Sequence, residues 1–132
     1  MGKKYSFCLF LSAIIGTVYA VFIIKHFYNI SYTAVQDGTI SAFGLGSLTA
    51  TAIVTPHLLL LALAVIFNWL GFFGNKRGFA LTAGILYSAA AVVFLIYAAF
   101  VIIEIVFSFI GFARLKKINE YNAESAKYNR TL

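Results

Sequence analysis

Charge is scarce in this sequence, and acidic charge is the scarcest. Only 11% of the 132 residues are charged, and only four are aspartate or glutamate. Two of these four, Glu120 and Glu124, lie close to the C-terminus. Hydrolytic chemistry that depends on two neighbouring carboxylates therefore has no candidate pair. The sequence also contains no glycine-rich phosphate loop, no HExxH motif and no nucleophile elbow, so we predict no catalytic residue and no enzymatic activity.

Cysteine and proline each occur once, as Cys8 and Pro56. A lone cysteine excludes an intrachain disulfide. The two histidines, His26 and His57, are far apart in the sequence, and together with a single nearby glutamate they make a poor set of zinc ligands. The sequence therefore predicts no metal site and no cofactor.

Apolar residues dominate what is present. They make up 62% of the chain, and the mean hydropathy of +0.94 is far above that of soluble domains. The formal net charge of +6 comes from residues beside apolar runs, without the basic patch and interleaved aromatics typical of nucleic-acid binding. We predict an integral membrane protein whose main contact is the lipid bilayer, and no nucleic-acid partner.

Four apolar stretches are candidate membrane spans, at residues 5–24, 47–73, 79–96 and 98–113. Residues 25–46 are expected to form a polar connection. The last two stretches belong to one apolar run of 36 residues, 78–113, which would be about 54 Å long as a single helix. A hydrocarbon core is only about 30 Å thick. The run is therefore either one long helix, giving three spans, or a hairpin with its turn near residues 96–100, giving four.

The placement of basic residues favours the hairpin. With four spans, nine of the ten lysines and arginines lie on one side and only Lys25 lies on the other, whereas three spans would divide them four to six. Cytoplasmic loops carry the excess of such residues. We predict an all-α polytopic membrane protein, in which residues 1–113 form a four-transmembrane-helix bundle. Both termini would be cytoplasmic, and residues 114–132 would form a basic polar tail along the membrane surface.

Small residues at four-residue spacing mark two candidate helix-packing faces. Spacing of four places each set on one side of its helix, where backbones can approach closely. Packing within the chain is one interpretation, and a surface for a partner helix or a second copy is the other. The residues are Ser12, Gly16 and Ala20 in the first span, and Ala80, Gly84 and Ser88 in the third.

Glu104 is the only acidic residue within the four candidate spans. An ionisable group at such a position usually faces the bundle interior or a wet cavity. Ser108 lies one turn further along the same face, and His57 is expected at a similar depth. These three residues form a candidate polar intramembrane site, for an ion, a proton or a cationic ligand. The alternative is structural, with Glu104 fixing the packing and with Thr51, Thr55 or His57 satisfying the backbone carbonyl freed by Pro56.

The layout resembles that of uncharacterised small four-helix membrane proteins of Gram-positive bacteria. The resemblance is carried by the basic N-terminus, the turn Gly74-Asn75-Lys76-Arg77 and the closing sequence 111–117, GFARLKK. It implies a plasma-membrane location and supplies no activity. From the packing faces we expect helix-mediated association, as an accessory subunit, an immunity-type protein or a homo-oligomer. The alternative is a small ion or solute transporter or channel that uses Glu104 and His57.

Overall fold

Four α-helices make up the part of the chain that the structure describes. The computed structural model describes residues 2–36 and 42–130, and this part of the chain contains no β-strand. The helices are α1 (Phe7–Gln36), α2 (Ala42–Gly74), α3 (Arg77–Val93) and α4 (Ala98–Arg130), with a short 3-10 turn at Leu95–Tyr97. The all-α prediction is confirmed.

Three helical stretches are long and apolar enough to cross a membrane: α1, α2 from Gly44 onward, and Leu95–Arg130. The apolar helix α3 is shorter, at 17 residues. The chain is therefore a helical membrane protein. Residues 25–36, predicted to belong to a connection, are instead a continuation of α1, and α2 begins at Ala42 rather than near 47. The rest of the predicted connection, residues 37–41, lies outside the described residues.

The four helices form a closed ring in which each helix packs against the next and α4 packs against α1. Neighbouring helices run antiparallel. Between α1 and α4, for example, Leu9 packs on Gly111 near one end while Phe27 meets Tyr97 near the other. The core lies at the centre of this ring, where Leu61 of α2 and Tyr87 of α3 are fully buried.

Residues 78–113 form a hairpin, and its bend lies slightly before the predicted position. Phe94 leaves the helical conformation with φ −138° and ψ 83°. Its N–H still donates to the Ala90 carbonyl, at 3.2 Å, and Tyr97 N–H donates to the Phe94 carbonyl, at 3.1 Å. All these conformations are open to ordinary L-residues, which explains why no glycine, proline or asparagine marks the bend. The apolar stretches 79–96 and 98–113 therefore correspond to α3 with the following 3-10 turn and to the first half of α4.

Asn75 makes the tight turn between α2 and α3. It has a positive φ of 49°, in the left-handed region that asparagine tolerates better than most residues. Its side chain also joins a polar cluster with the N-terminal segment and α4. Asn75 Nδ2 and Asn122 Nδ2 donate to the Lys4 carbonyl, at 2.9 and 3.0 Å, and Asn119 Nδ2 donates to the Asn75 carbonyl, at 2.9 Å. We call Asn75, Asn119 and Asn122 the asparagine clasp.

The predicted tail is part of α4 as far as Arg130, and its course along the membrane surface stays a prediction. Residues 114–130 continue α4 without interruption, giving a helix of 33 residues that is about 50 Å long. The extension is held against the rest of the protein by buried Leu115, by Ile118 and by the asparagine clasp. The extension therefore packs against the N-terminal segment and the turn between α2 and α3.

At the opposite end, α1 and α2 extend past the α3–α4 hairpin. Tyr97 at the hairpin bend packs against Phe27 and His57. Residues 28–36 of α1 and the first turns of α2 therefore lie beyond the bend, where Ser31 Oγ and Thr51 Oγ1 are 2.9 Å apart. The four helices run side by side only over the length of α3, about 26 Å.

Candidate functional site

The predicted packing faces lie inside the bundle. Gly16 of α1 leaves the space that the Tyr87 hydroxyl of α3 occupies, and a Cβ on Gly84 would lie 3.1 Å from the Phe109 ring of α4. Ser12, Ala20 and Ala80 are also buried. Ser88 is half-buried, and its hydroxyl donates to the Gly84 carbonyl at 2.8 Å. Gly16 and Gly84 therefore serve contacts between helices of the same chain, whereas the Ser88 hydroxyl bonds within α3.

A further close approach, which the sequence reasoning missed, joins α2 to α3 at Gly71. A Cβ there would lie 3.0 Å from the backbone nitrogen of Ala80. The predicted face of α3 thus meets a glycine of α2 that stands outside any four-residue series of small residues. A small residue seven positions earlier, Ala64, is the signal that could have identified this face of α2.

Ser12 is the centre of a buried polar cluster between α1, α2 and α4. Its hydroxyl donates to the Glu104 carbonyl oxygen at 3.1 Å. Because a serine hydroxyl has only one proton, Ser12 then accepts from Asn68 Nδ2, at 2.6 Å, and from the Ser108 hydroxyl, at 3.0 Å. The structure therefore brings Ser108 of the predicted polar site into contact with Ser12 of a predicted packing face. The Tyr87 hydroxyl is buried against Gly16 of the same α1 face and has no hydrogen-bond partner among the described residues.

The Glu104 side chain is fully buried, but its carboxyl group is not satisfied. Within residues 2–36 and 42–130, neither Oε1 nor Oε2 has a hydrogen-bond partner. The expected direct pair with His57 is therefore not formed. This is unusual, since buried polar atoms in folded proteins nearly always have a partner.

His57 is buried, and its two ring nitrogens lie close to groups other than Glu104. Its Nδ1 lies 2.8 Å from the Ala90 carbonyl oxygen, near the end of α3, and its Nε2 lies 3.4 Å from the Tyr19 hydroxyl. A carbonyl oxygen only accepts hydrogen bonds, so Nδ1 carries a proton. In the neutral imidazole, Nε2 is then an acceptor and the Tyr19 hydroxyl donates to it.

None of the three side chains expected to bond to the backbone carbonyl freed by Pro56 does so. Proline has no N–H to donate to the Ala52 carbonyl. Thr55 Oγ1 donates to the Thr51 carbonyl and Thr51 Oγ1 donates to the Ser47 carbonyl, at 2.8 and 2.9 Å. His57 Nδ1 donates to the Ala90 carbonyl oxygen. Each of the three candidates therefore bonds to another acceptor.

Glu104 lies on the wall of a groove of about 500 Å³ between α1 and α4. The Tyr19 and Phe100 rings stack across this groove, with centroids 5.9 Å apart and planes 13° apart. Its rim includes Val18 and Phe22, which are 65% and 67% exposed, so the groove opens on the outer, lipid-facing side of the bundle. We call this the α1–α4 groove. Its lining residues are Ile14, Ile15, Val18, Tyr19, Phe22, Ala99, Phe100, Ile103 and Glu104.

The groove is apolar apart from two groups. The Glu104 carboxyl and the Tyr19 hydroxyl are the polar side-chain groups among its lining residues, and none of the described lining residues is basic. Tyr19 is the residue that joins the groove to His57, and the sequence reasoning did not identify it. Its position seven residues after Ser12 places both on one face of α1, which is the signal that could have found it.

The remaining candidate ligands and nucleophiles in the described part of the chain do not form a metal site. No group of three or more His, Cys, Asp or Glu side chains there is placed to hold a metal ion. Cys8 is buried, and Arg114 Nη1 lies 3.7 Å from its sulfur. The α1–α4 groove is thus lined by a residue, Glu104, whose buried carboxyl group has no partner among the described residues.

Comparisons of this chain with protein families, with curated proteins and with solved structures find no match, so a function has to be argued from the geometry of the groove and the bundle.

Proposed function

We propose that the chain is a plasma-membrane protein of four spans with both termini in the cytoplasm. The length of α3, about 26 Å, comes close to the hydrocarbon thickness of about 30 Å. The end of the bundle that carries the asparagine clasp is strongly basic, and Lys25 lies toward the other end. The positive-inside rule then assigns the clasp end to the cytoplasm. Its basic residues are Lys3, Lys4, Lys76, Arg77, Arg114, Lys116 and Lys117.

Within this bundle, the proposed function is non-enzymatic binding of a small lipophilic molecule in the α1–α4 groove. The observation that carries the proposal is the buried, unpartnered Glu104 carboxyl on the wall of a lipid-facing groove. A bilayer core supplies no hydrogen-bond partners, and an unsatisfied polar group there costs several kcal/mol. A ligand that brings a partner for Glu104 would remove this cost. The volume of about 500 Å³ is in the range of small-molecule sites.

A small molecule fits the groove better than a partner helix. On α1 the groove extends from Ile14 to Phe22, which is about 12 Å of helix. A packed transmembrane helix would need a contact along much of the bilayer. Helix-mediated association, as an accessory subunit, an immunity-type protein or a homo-oligomer, stays a prediction. The small residues that suggested it are occupied inside the bundle, so it would require another face.

Transport of the bound molecule is a second candidate, favoured by the position of Tyr19. This side chain lines the groove and also contacts His57, which is bonded to the end of α3 at Ala90. Movement of Tyr19 on ligand entry would therefore be coupled to the α3–α4 hairpin. Flux of a groove ligand into proteoliposomes, lost in Glu104→Gln, would establish transport. Binding without flux would leave the chain as a binding protein.

Photolabelling tests the binding proposal. The probe is an uncharged hydrocarbon carrying a diazirine, applied to the protein in phosphatidylcholine nanodiscs and mapped by mass spectrometry. In the native chain we expect labelling concentrated on the groove residues. Val18→Phe fills the rim and should remove this labelling, whereas Val21→Phe should retain it. Val21 is the matched control because it is 52% exposed on the same helix but does not line the groove.

The contrary outcome is labelling spread evenly over all lipid-facing residues and equal in both variants. The groove would then hold lipid no differently from the rest of the surface. That result would refute the binding proposal.

A further inference from the structure

We propose that the ligand of the α1–α4 groove is a lipophilic amine, with its nitrogen against the Glu104 carboxyl and its hydrocarbon along the apolar walls. This inference rests on the proposed binding function and adds the chemical class of the ligand. Three features support it: the two unpartnered carboxyl oxygens, the hydrogen bonds already made by the polar groups around them, and the composition of the groove wall.

The polar side chains that bond around the Glu104 backbone, Ser12, Ser108 and Asn68, do not bond to its carboxyl group, and neither does the unpartnered Tyr87 hydroxyl. The Ser12 hydroxyl donates to the backbone carbonyl of Glu104 and not to its carboxyl group. Ser108 is in contact with Ser12, and Asn68 donates to Ser12. The cluster therefore fixes the backbone of α4 at this position and leaves Oε1 and Oε2 without a partner in the described part of the protein.

Tyr19 lines the groove beside Glu104, but its proton is directed elsewhere. His57 Nδ1 is held as a donor by the Ala90 carbonyl, so Nε2 of the neutral ring accepts from the Tyr19 hydroxyl. Tyr19 can then offer Glu104 only a lone pair. The geometry thus directs the Tyr19 proton to His57 and leaves the donor for the carboxyl group to be supplied by the ligand.

The groove wall selects for a positive group. None of the described lining residues is basic, so nothing there competes with an incoming cation for Glu104. The stacked Tyr19 and Phe100 rings line the same volume, and the faces of aromatic rings attract ammonium groups. An anionic ligand would meet a carboxyl group and two π systems in a medium of low dielectric, and it is disfavoured by each.

An amine also satisfies Glu104 in either protonation state. A carboxylate pairs with an ammonium ion, and a carboxylic acid donates its proton to the lone pair of a neutral amine. In both cases one proton is shared between one oxygen and one nitrogen, and the pair as a whole is neutral. An alcohol can satisfy only the carboxylic acid without a net charge, since beside a carboxylate it would leave a charge in the bilayer, which is costly.

The test compares two probes that differ only in the head group, decylamine and decan-1-ol. Binding to the protein in phosphatidylcholine nanodiscs is measured by calorimetry, with empty nanodiscs subtracted. We expect saturable binding of decylamine that is roughly 10- to 100-fold weaker in Glu104→Gln, as for loss of a hydrogen bond to a charged group. Glu124→Gln, the same change at an exposed site on the α4 extension, should bind like the native chain.

A measurement on the native chain alone keeps the test independent of any variant that folds poorly. Decylamine should protect the groove residues from the diazirine hydrocarbon at concentrations where decan-1-ol does not. Equal protection by both compounds, or decylamine binding unaffected by Glu104→Gln, would overturn the amine assignment. The groove would still be a binding site in that case. Absence of groove labelling by the hydrocarbon itself would refute the proposed function.

Discussion

The contact of Gly71 with Ala80 allows a sharp test of how α2 and α3 are held together. Substituting Gly71→Ala adds one methyl group at a point where the nearest atoms are backbone, the nitrogen and Cα of Ala80 at 3.0 and 3.3 Å. Backbone atoms of a packed helix do not rotate away as side chains do. The helices would have to separate by a few tenths of an ångström, and overpacking of this kind costs about 1 to 3 kcal/mol.

Gly46→Ala is the matched control, because it makes the same change in the same helix. No described atom lies within 4 Å of the Cβ position at Gly46. Alanine there should stabilise α2 by up to about 1 kcal/mol, since glycine is the poorer helix former. The same propensity gain is available at Gly71, so the difference between the two variants isolates the packing cost.

Unfolding of the two variants by denaturant in a mild detergent measures this difference. We expect the free energy of unfolding of Gly71→Ala to lie about 1 to 3 kcal/mol below that of Gly46→Ala. If the two variants unfold at the same denaturant concentration, α2 and α3 do not approach each other as closely at Gly71 as the structure shows. A lower free energy of unfolding in Gly46→Ala, with no change in Gly71→Ala, would also contradict this prediction.

Three further predictions concern the groove residue, the hairpin bend and the clasp. Glu104→Leu should raise the free energy of unfolding by about 1 to 3 kcal/mol while abolishing ligand binding, because it removes an unsatisfied buried carboxyl; a lower stability in thermal melts would contradict this. In a Cys8→Ser background, Ile96→Cys should react with an impermeant maleimide from outside intact cells and Lys116→Cys only after lysis, whereas the reverse pattern would invert the topology. Asn122→Ala should speed amide hydrogen exchange around Lys4 by removing two hydrogen bonds, and unchanged exchange would exclude a role for the clasp.

The helical class and the hairpin were predictable because they depend on quantities that a sequence contains. Hydropathy identified the apolar helices, and the apolar run 78–113 was too long for one crossing. The position of the bend was less accessible, since Phe94 forms it with a backbone conformation that carries no residue signature. The packing of the tail on the bundle was not predicted, because its low apolar content outweighed the three- and four-residue spacing of Leu115, Ile118 and Asn122.

The acidic residue of the candidate site could be predicted from the sequence, but the hydrogen-bond partners of His57 could not. Glu104 stood out as an ionisable residue in an apolar stretch, and Ser108 followed from helical spacing. The partner of His57 is a backbone carbonyl, that of Ala90, and every residue carries one of these. Its second contact, Tyr19, is an aromatic residue among many in this chain. Which of them approaches a buried histidine depends on the rotation of α1 within the ring, and this is fixed only by packing of the whole bundle.

The closed ring also has a consequence for the order of assembly. Contacts between α1 and α4 join the two ends of the chain, and the bond from Lys4 N–H to Asn122 spans 118 positions. Synthesis proceeds from the N-terminus, so α1, α2 and α3 enter the membrane before α4 exists. The Asn68 bond to Ser12 can form at that stage, while Ser12 still lacks Glu104 and Ser108. The groove therefore forms only after the first turns of α4 have been made, and a chain interrupted before α4 displays the Ser12 and Gly16 face of α1 to lipid.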